Sequence, residues 1–213
     1  MKPLLLLFWV MTAGLTPSLF AQDSVRSWQP VLQAQLQALE KIQPAQWAPH
    51  TDTLAQLANA HPQEWLLQYY AGWAYTQLSF KAEKKIAEQY CEKAAPFVKR
   101  ALGLQPGHTE TLTLMGYWLS ARINAVPSRG ASLGAESRQY AEKAIDADPS
   151  NPRASLVKAL NIYYTPAIFG GGKKRARPTV VETGEKFARF IPADALAPNW
   201  GKNIYDVLNA SYQ

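Results

Sequence analysis

The stretch KRALGLQPGHTE (99–110) recurs later in the chain as EKAIDADPSNPR (142–153), and this pair of segments decides the predicted fold. In each segment a helical pattern ends, a proline and a polar turn follow, and another helical pattern begins. Proline ends a helix because it has no N–H group to continue the hydrogen-bond ladder. The two segments therefore predict the same turn between helices at two places in a repeating chain.

The repeat extends over most of the sequence. Prolines recur 44, 43 and 43 residues apart, at Pro62, Pro106, Pro149 and Pro192. Ten residues after the first three of them stands a small residue: Gly72, Gly116 and Ala159. A small side chain in a first helix lets a second helix cross it closely, and an internal period of this length indicates helical repeats.

One unit carries a recognisable helical signature. Val98 and Ala101 lie four and seven residues after Ala94, and Pro106 lies five residues after Ala101. This spacing resembles the tetratricopeptide repeat, although the standard unit of about 34 residues is shorter. The resemblance implies an all-α, right-handed superhelical solenoid of helix pairs. We expect elongated repeats at 22–64, 65–108, 109–151 and 152–194, with a capping helix at 195–213.

The first 21 residues have the layout of a secretory signal peptide. Lys2 supplies a positive start, residues 4–11 are apolar, and Ala21 is small at the expected cleavage position. The apolar run is shorter than the ~18 residues that span a bilayer. We therefore expect a signal peptide at 1–21 and one exported domain at 22–213, periplasmic or secreted, with no transmembrane segment after cleavage.

The last 60 residues carry a second resemblance. The patterns N-P-R (151–153), Y-Y-T-P (163–166), F-G-G-G-K (169–173) and P-N-W-G (198–201) resemble those of uncharacterised exported tetratricopeptide proteins of Bacteroidetes. The resemblance implies a shared fold and an envelope or secreted location in such a Gram-negative bacterium. It implies no reaction.

The glycine-rich basic loop at 170–177 has two interpretations. A nucleotide-binding phosphate loop is excluded, because Ala167 and Lys174 stand where that motif needs Gly and Ser or Thr. The glycines serve the chain reversal in one interpretation. In the other, the loop binds a small anionic ligand or an envelope polymer at a helix N-terminus. The anion-binding candidates are Gly172, Lys173, Lys174 and Arg175.

No catalytic, metal or cofactor site is predicted. Ser155 and Lys158 spell the S-x-x-K motif of penicillin-binding enzymes, but its partner motifs are absent. The three histidines, His50, His61 and His108, lack zinc-like spacing. The formal net charge of +6 favours anionic partners or solubility. Nucleic acid is not expected, because the exported chain has no recognition motif. The sequence predicts a protein that is not an enzyme.

The remaining candidate for a functional site is a binding surface on the helices. Helical solenoids bind peptides and proteins on a concave face formed by their first helices. By the repeat register, the residues expected there as partner contacts are Tyr69, Trp73, Tyr117, Arg153 and Tyr163. Aromatic residues and arginine anchor many interfaces, but the same aromatics can fill a core, and Arg153 can clamp a neighbouring helix. The main hypothesis is a scaffold or adaptor for an unidentified envelope protein or peptide.

Overall fold

A computed structural model describes residues 28–213, so the predicted signal peptide lies outside the described residues. Within that range the chain forms nine α-helices and no strands, which confirms the predicted all-α class. The helices are α1 (Trp28–Lys41), α2 (Trp47–Ala60), α3 (Trp65–Lys81), α4 (Lys84–Leu104), α5 (Thr109–Ala125), α6 (Gly130–Ala147), α7 (Pro152–Tyr164), α8 (Lys173–Arg189) and α9 (Lys202–Ala210).

The repeated turns lie where the prolines place them. Helices α3, α5 and α7 begin three residues after Pro62, Pro106 and Pro149. Each helix packs mainly on its neighbours in the chain, and α5 also packs on both α3 and α7. The first helices of successive pairs are therefore adjacent, as in helical repeat proteins. The right-handed superhelix and the repeat boundaries stay predictions.

The small residues of the repeat mark close helix crossings. A Cβ atom added at Gly72 would lie 2.8 Å from Cγ2 of Val98 in α4. At Gly116 the added atom would lie 3.0 Å from the carbonyl oxygen of Ser137 in α6. Real Cβ atoms rarely approach so closely, and helix axes separate as interface side chains grow. Glycine at these two positions therefore sets how closely each pair packs.

The core is centred on α3 and α5. Every residue of α3 from Leu67 to Ser79 is buried, and α5 is buried over most of its length. A helix that is buried on all sides lies inside a domain. The neighbouring helices cover part of these two, and the remainder is covered by the chain that follows α8.

The chain after α8 ends in a short helix that lies within the range predicted for the capping helix, 195–213. Residues 190–201 are irregular, and the last helix, α9, begins only at Lys202. Trp200 packs against Trp73 and stacks on Tyr117, with ring centroids 6.3 and 5.0 Å apart. Gly184 of α8 makes room for Tyr205 of α9, because an added Cβ would lie 2.1 Å from the Tyr205 hydroxyl. The segment thus lies over α3 and α5 instead of extending α8.

Candidate functional site

The predicted concave face is occupied by the protein's own chain. Tyr69, Trp73 and Tyr117 are buried, so the exposed groove expected along them is absent from the described structure. The indole Nε1 of Trp200 donates a hydrogen bond to the Tyr69 hydroxyl at 2.6 Å. The Tyr117 hydroxyl donates to Gln77 at 3.0 Å. These aromatics fill the core, which was the alternative interpretation of the sequence.

Arg153 forms a buried ion pair with Glu110. Its Nη2 and Nε donate to the Glu110 carboxylate at 2.7 and 2.9 Å, and both side chains are almost fully buried. Asn151 also donates to this carboxylate, at 2.6 Å. Arg153 therefore clamps α7 to α5 and is not an exposed partner contact. Its Nη1 is buried and has no hydrogen-bond partner within residues 28–213.

Tyr69 completes this buried network. Its hydroxyl donates to the second oxygen of Glu110 at 2.8 Å. Burial, and then the negative charge of Glu110, raise the pKa of Tyr69 well above its ordinary value. The phenol stays protonated and remains a donor to the carboxylate. Charged hydrogen bonds of this kind are stronger than neutral ones, so the network fixes the relative positions of α3, α5 and α7.

The glycine-rich loop owes its glycines to backbone geometry. Gly170 and Gly172 have φ of 87° and 102°, values that favour glycine. A Cβ at Gly171 would lie 2.2 Å from the carbonyl oxygen of Thr165. Lys173 donates to the carbonyl of Ser211, and Lys174 and Arg175 are exposed. The contacts explain the glycines through the chain reversal, and anion binding by this loop stays a proposal.

Tyr163 lies beside this loop and away from the other predicted partner contacts. Its ring packs edge-on against Tyr164 and Tyr212, with centroids 4.9 and 6.2 Å apart. The hydroxyl of Tyr212 donates to the Lys173 carbonyl at 2.7 Å. Tyr163 therefore helps to join the C-terminus to the turn between α7 and α8. The five predicted contacts do not form one continuous exposed face.

A cavity of about 1450 Å³ opens at one end of the helix stack. Its walls come from the first turns of α1, α3, α5 and α7, from the end of α8 and from the irregular segment 190–198. The apolar part of the wall comprises Trp28, Trp65, Leu66, Phe190, Ile191 and Leu196. Small-molecule sites typically measure about 300–1,000 Å³. The cavity therefore has room for a large, partly apolar ligand.

Cationic groups lie along one side of this cavity. Lys186 and Arg189 line it from the last turn of α8, and Arg153 lines it from the first turn of α7. Lys186 donates to the Ser155 hydroxyl at 2.6 Å and pairs with Glu182 at 2.7 Å, whereas Arg189 is largely exposed. The N-termini of helices are electropositive. The wall can therefore bind carboxylates beside its apolar surface.

His108 is the histidine of this cavity, and its contacts limit what it can do. Its ring packs on Trp65 with centroids 4.7 Å apart. Its Nδ1 accepts a hydrogen bond from the backbone N–H of Glu110 at 3.2 Å and so caps α5. A neutral imidazole whose Nδ1 accepts carries its proton on Nε2. No group of three or more His, Cys, Asp or Glu residues within 28–213 is arranged to hold a metal ion.

The cavity was not predictable from the sequence, although part of the signal was present. The prolines of the repeat mark the turns at 61–64, 105–108 and 148–151, which lie before α3, α5 and α7. These turns and the following helix starts meet at one end of the stack. The other wall depends on how residues 190–198 fold back, and no local pattern indicates that path.

No helix within residues 28–213 is both long and apolar enough to span a membrane.

The sequence matches no protein-family model and no curated protein sequence. The chain is similar to a solved structure, the HusA haemophore from Porphyromonas gingivalis, a Bacteroidetes bacterium. The two chains share 28% sequence identity and superpose with a TM-score of 0.75. The similarity covers 88% of this chain and 96% of the haemophore. The described fold is thus similar, over most of both chains, to that of a haemophore.

Proposed function

We propose that the protein is an exported, non-catalytic carrier of haem or a related tetrapyrrole. The observation that carries the proposal is the cavity of about 1450 Å³, with aromatic walls beside cationic groups, in a chain similar to a haemophore. A tetrapyrrole is a large flat apolar ring with carboxylate substituents. The apolar part of the cavity wall matches the ring, and the cationic side of the wall matches the carboxylates.

The apolar walls suit the ring. Trp28 and Trp65 come from α1 and α3, and Phe190 and Ile191 come from the segment after α8. Ile191 is 84% exposed, and apolar surface of this kind gains free energy when a ligand covers it. Aromatic side chains prefer offset stacking or edge-on contact with another ring. These residues would hold the flat face of the ligand.

The cationic side suits the carboxylates. Arg189 is mostly exposed and makes only a weak pair with Glu185, at 3.6 Å, so it can turn to a ligand at small cost. Arg153 has a buried Nη1 without a hydrogen-bond partner, and its guanidinium carbon lies 4.3 Å from the centroid of the Phe190 ring, so a ligand carboxylate reaches Arg153 when that ring moves aside. A planar guanidinium matches a carboxylate geometrically. Lys186 lies on the same wall and pairs with Glu182, while Glu110, Asp148 and Asp194 also line the cavity, so Arg189 is the cation most available to a ligand.

The geometry of His108 favours binding of the ring over coordination of iron. A histidine that ligates a metal usually donates its second ring N–H to a carboxylate or a carbonyl. In His108 the Nδ1 atom instead accepts from the Glu110 backbone. Coordination through Nε2 would require a different tautomer and would break the cap of α5. We therefore expect the metal-free porphyrin to bind about as well as haem.

Titration of the purified exported chain tests the proposal. Haemin and metal-free protoporphyrin are titrated separately, and quenching of tryptophan fluorescence and the porphyrin absorbance are recorded. Two tryptophans, Trp28 and Trp65, line the cavity and report binding directly. We expect saturable binding of both ligands. If neither haemin nor metal-free protoporphyrin binds saturably, the proposal is overturned.

A pair of charge reversals places the site. Arg189→Glu changes a cavity residue, whereas Arg177→Glu changes an exposed arginine on the same helix. The two positions lie about 18 Å apart along the axis at 1.5 Å per residue. Exposed ion pairs contribute up to about 1 kcal/mol, so we expect Arg189→Glu to weaken binding about fivefold. Equal weakening by Arg177→Glu would move the site away from the cavity.

The protein-partner function predicted from the sequence has weaker support. Three of its anchors, Tyr69, Trp73 and Tyr117, are buried beneath residues 190–201. The predicted alternative, a small anionic ligand, agrees in chemical class with a dicarboxylate tetrapyrrole. The proposed site is then the cavity wall at Arg153, Lys186 and Arg189, at the opposite end of α8 from loop 170–177.

A further inference from the structure

The turn between α7 and α8 holds three large apolar side chains in solvent. Tyr164, Ile168 and Phe169 are 74%, 86% and 72% exposed. We call these three residues the apolar tip. Single exposed apolar residues are common, but clusters of large ones mark interaction sites. The tip lies on a short loop away from the cavity, so the proposed tetrapyrrole site does not account for it.

The loop is built to keep the tip in this position. The Gly172 N–H donates to the carbonyl of Ile162 at 2.8 Å, which closes the loop at its base. The Thr165 hydroxyl donates a hydrogen bond to the Asn161 carbonyl at 2.6 Å, and the Phe169 N–H donates to the Pro166 carbonyl at 2.9 Å. A loop with this many internal bonds loses little conformational entropy when it binds. The exposure of Ile168 and Phe169 is therefore a fixed property of the fold.

Basic residues follow the tip directly in the chain, and the sequence around it carries no acidic residue. Lys174, Arg175 and Arg177 are exposed in the first turns of α8, and none of them forms an ion pair within the described part of the chain. The sequence contains no Asp or Glu from 149 to 181. We call these three cations the basic shoulder. An apolar tip with a basic shoulder is complementary to a surface that is apolar inside and anionic outside.

We propose that this loop docks the protein onto an anionic lipid surface. The apolar tip enters the boundary between headgroups and acyl chains, and the basic shoulder contacts the phosphates. Each Lys or Arg near an anionic membrane contributes about 1 kcal/mol. A protein partner is disfavoured, because three side chains on one protruding loop provide much less than the roughly 800 Å² per partner of a stable protein interface.

Vesicle flotation with the ligand-free exported protein tests the proposal, so its outcome does not depend on tetrapyrrole binding. Vesicles of phosphatidylcholine with phosphatidylglycerol are compared with vesicles of phosphatidylcholine alone. We expect flotation with the anionic vesicles only, and its loss at high salt, because salt screens surface charges. No flotation with anionic vesicles, or equal flotation with both kinds, would overturn the proposal.

Three variants identify the contact. Ile168→Ser/Phe169→Ser removes the tip, and we expect it to abolish flotation. Lys174→Gln/Arg177→Gln removes two cations, for an expected loss of about 30-fold in the partition coefficient. Ile191→Ser, a matched control with an equally exposed side chain at the cavity end of the molecule, should float as the wild type does.

Circular dichroism and melting temperatures must first match across the set. All variants change exposed side chains, so we expect them to fold. Undiminished flotation of the Ile168→Ser/Phe169→Ser variant would show that the tip is not the contact and would overturn the proposal. Loss of flotation in Ile191→Ser to the same degree would do so too, since that side chain lies outside the loop.

Discussion

At the scale of single residues, the buried pair formed by Arg153 and Glu110 is a position where substitution should be costly. Both side chains are buried, and Tyr69 and Asn151 donate to the same carboxylate. Removing one member leaves the other charge buried and uncompensated. We expect Glu110→Ala to lower the free energy of unfolding by about 3–5 kcal/mol, measured by urea denaturation.

A double substitution separates the charge effect from lost packing. Glu110→Met/Arg153→Met replaces the pair by apolar residues, and such replacements are often nearly neutral. We therefore expect the double variant to be more stable than Glu110→Ala. If it is equally unstable, lost hydrogen bonds with Tyr69 and Asn151, and not the isolated charge, set the cost.

Cys91 provides a prediction about pH. The thiol is buried, and burial raises its pKa above the ordinary value, although Ser79 and Arg122 oppose part of the increase. A raised pKa means less thiolate at neutral pH, and thiolate is the reactive form. We expect Cys91 to react slowly with a disulfide reagent in the folded protein and rapidly in denaturant, followed by absorbance across a pH series.

The raised pKa of Cys91 also predicts how the stability of the fold depends on pH. Because the folded pKa is raised, folding is favoured at pH values below the pKa of the unfolded thiol, and this contribution is lost as the pH rises through the folded value.

A folded-state reaction rate as fast as that in denaturant at neutral pH would contradict the buried position of Cys91.

At the scale of helices, two glycines with different surroundings give opposite expectations. Gly116 faces the carbonyl of Ser137, whereas a Cβ at Gly134 in α6 would meet no atom within 4 Å. Alanine favours a helix over glycine by roughly 1 kcal/mol. We expect Gly134→Ala to stabilise the protein by up to about that amount, and Gly116→Ala to destabilise it because α5 and α6 must separate.

The melting temperatures of the two variants, compared with that of the wild type, test these opposite changes in stability. The two substitutions add the same methyl group to a helix interior, so any difference reflects the surroundings. A gain in melting temperature for Gly116→Ala equal to that for Gly134→Ala would show that the crossing of α5 and α6 relaxes at no cost.

The sequence predicted helices better than it predicted where the chain goes between them. The turns before α3, α5 and α7 were predictable, because Pro62, Pro106 and Pro149 act on the adjacent backbone alone. The segment 190–201 was not. Its position depends on Trp200 reaching Tyr69, a contact between residues 131 positions apart. For the same reason, the sequence placed Tyr69 and Tyr117 on an open groove and missed the cavity behind residues 190–198.

At the scale of the whole molecule, a bound ligand should stabilise the fold. A ligand that binds only the folded state adds about 2.7 kcal/mol at a concentration 100 times its dissociation constant. For a chain of this size that corresponds to roughly 5–10 °C in melting temperature. We expect metal-free protoporphyrin to produce such a shift in scanning calorimetry, and Arg189→Glu to reduce it. A tetrapyrrole that bound without raising the melting temperature would indicate binding to unfolded chains.

The position of Trp200 also bears on how the chain folds. Helical repeat arrays usually fold from local contacts, so each pair can form or fray nearly independently of distant ones. Here the hydrogen bond from Trp200 to Tyr69, and that from Tyr70 to the Leu196 carbonyl, join α3 to the segment after α8. Contacts between residues so far apart slow folding, because a long loop must close before they form. The same closure ties α3 to the end of the array, so the helix pairs from α3 onward should unfold together in one transition.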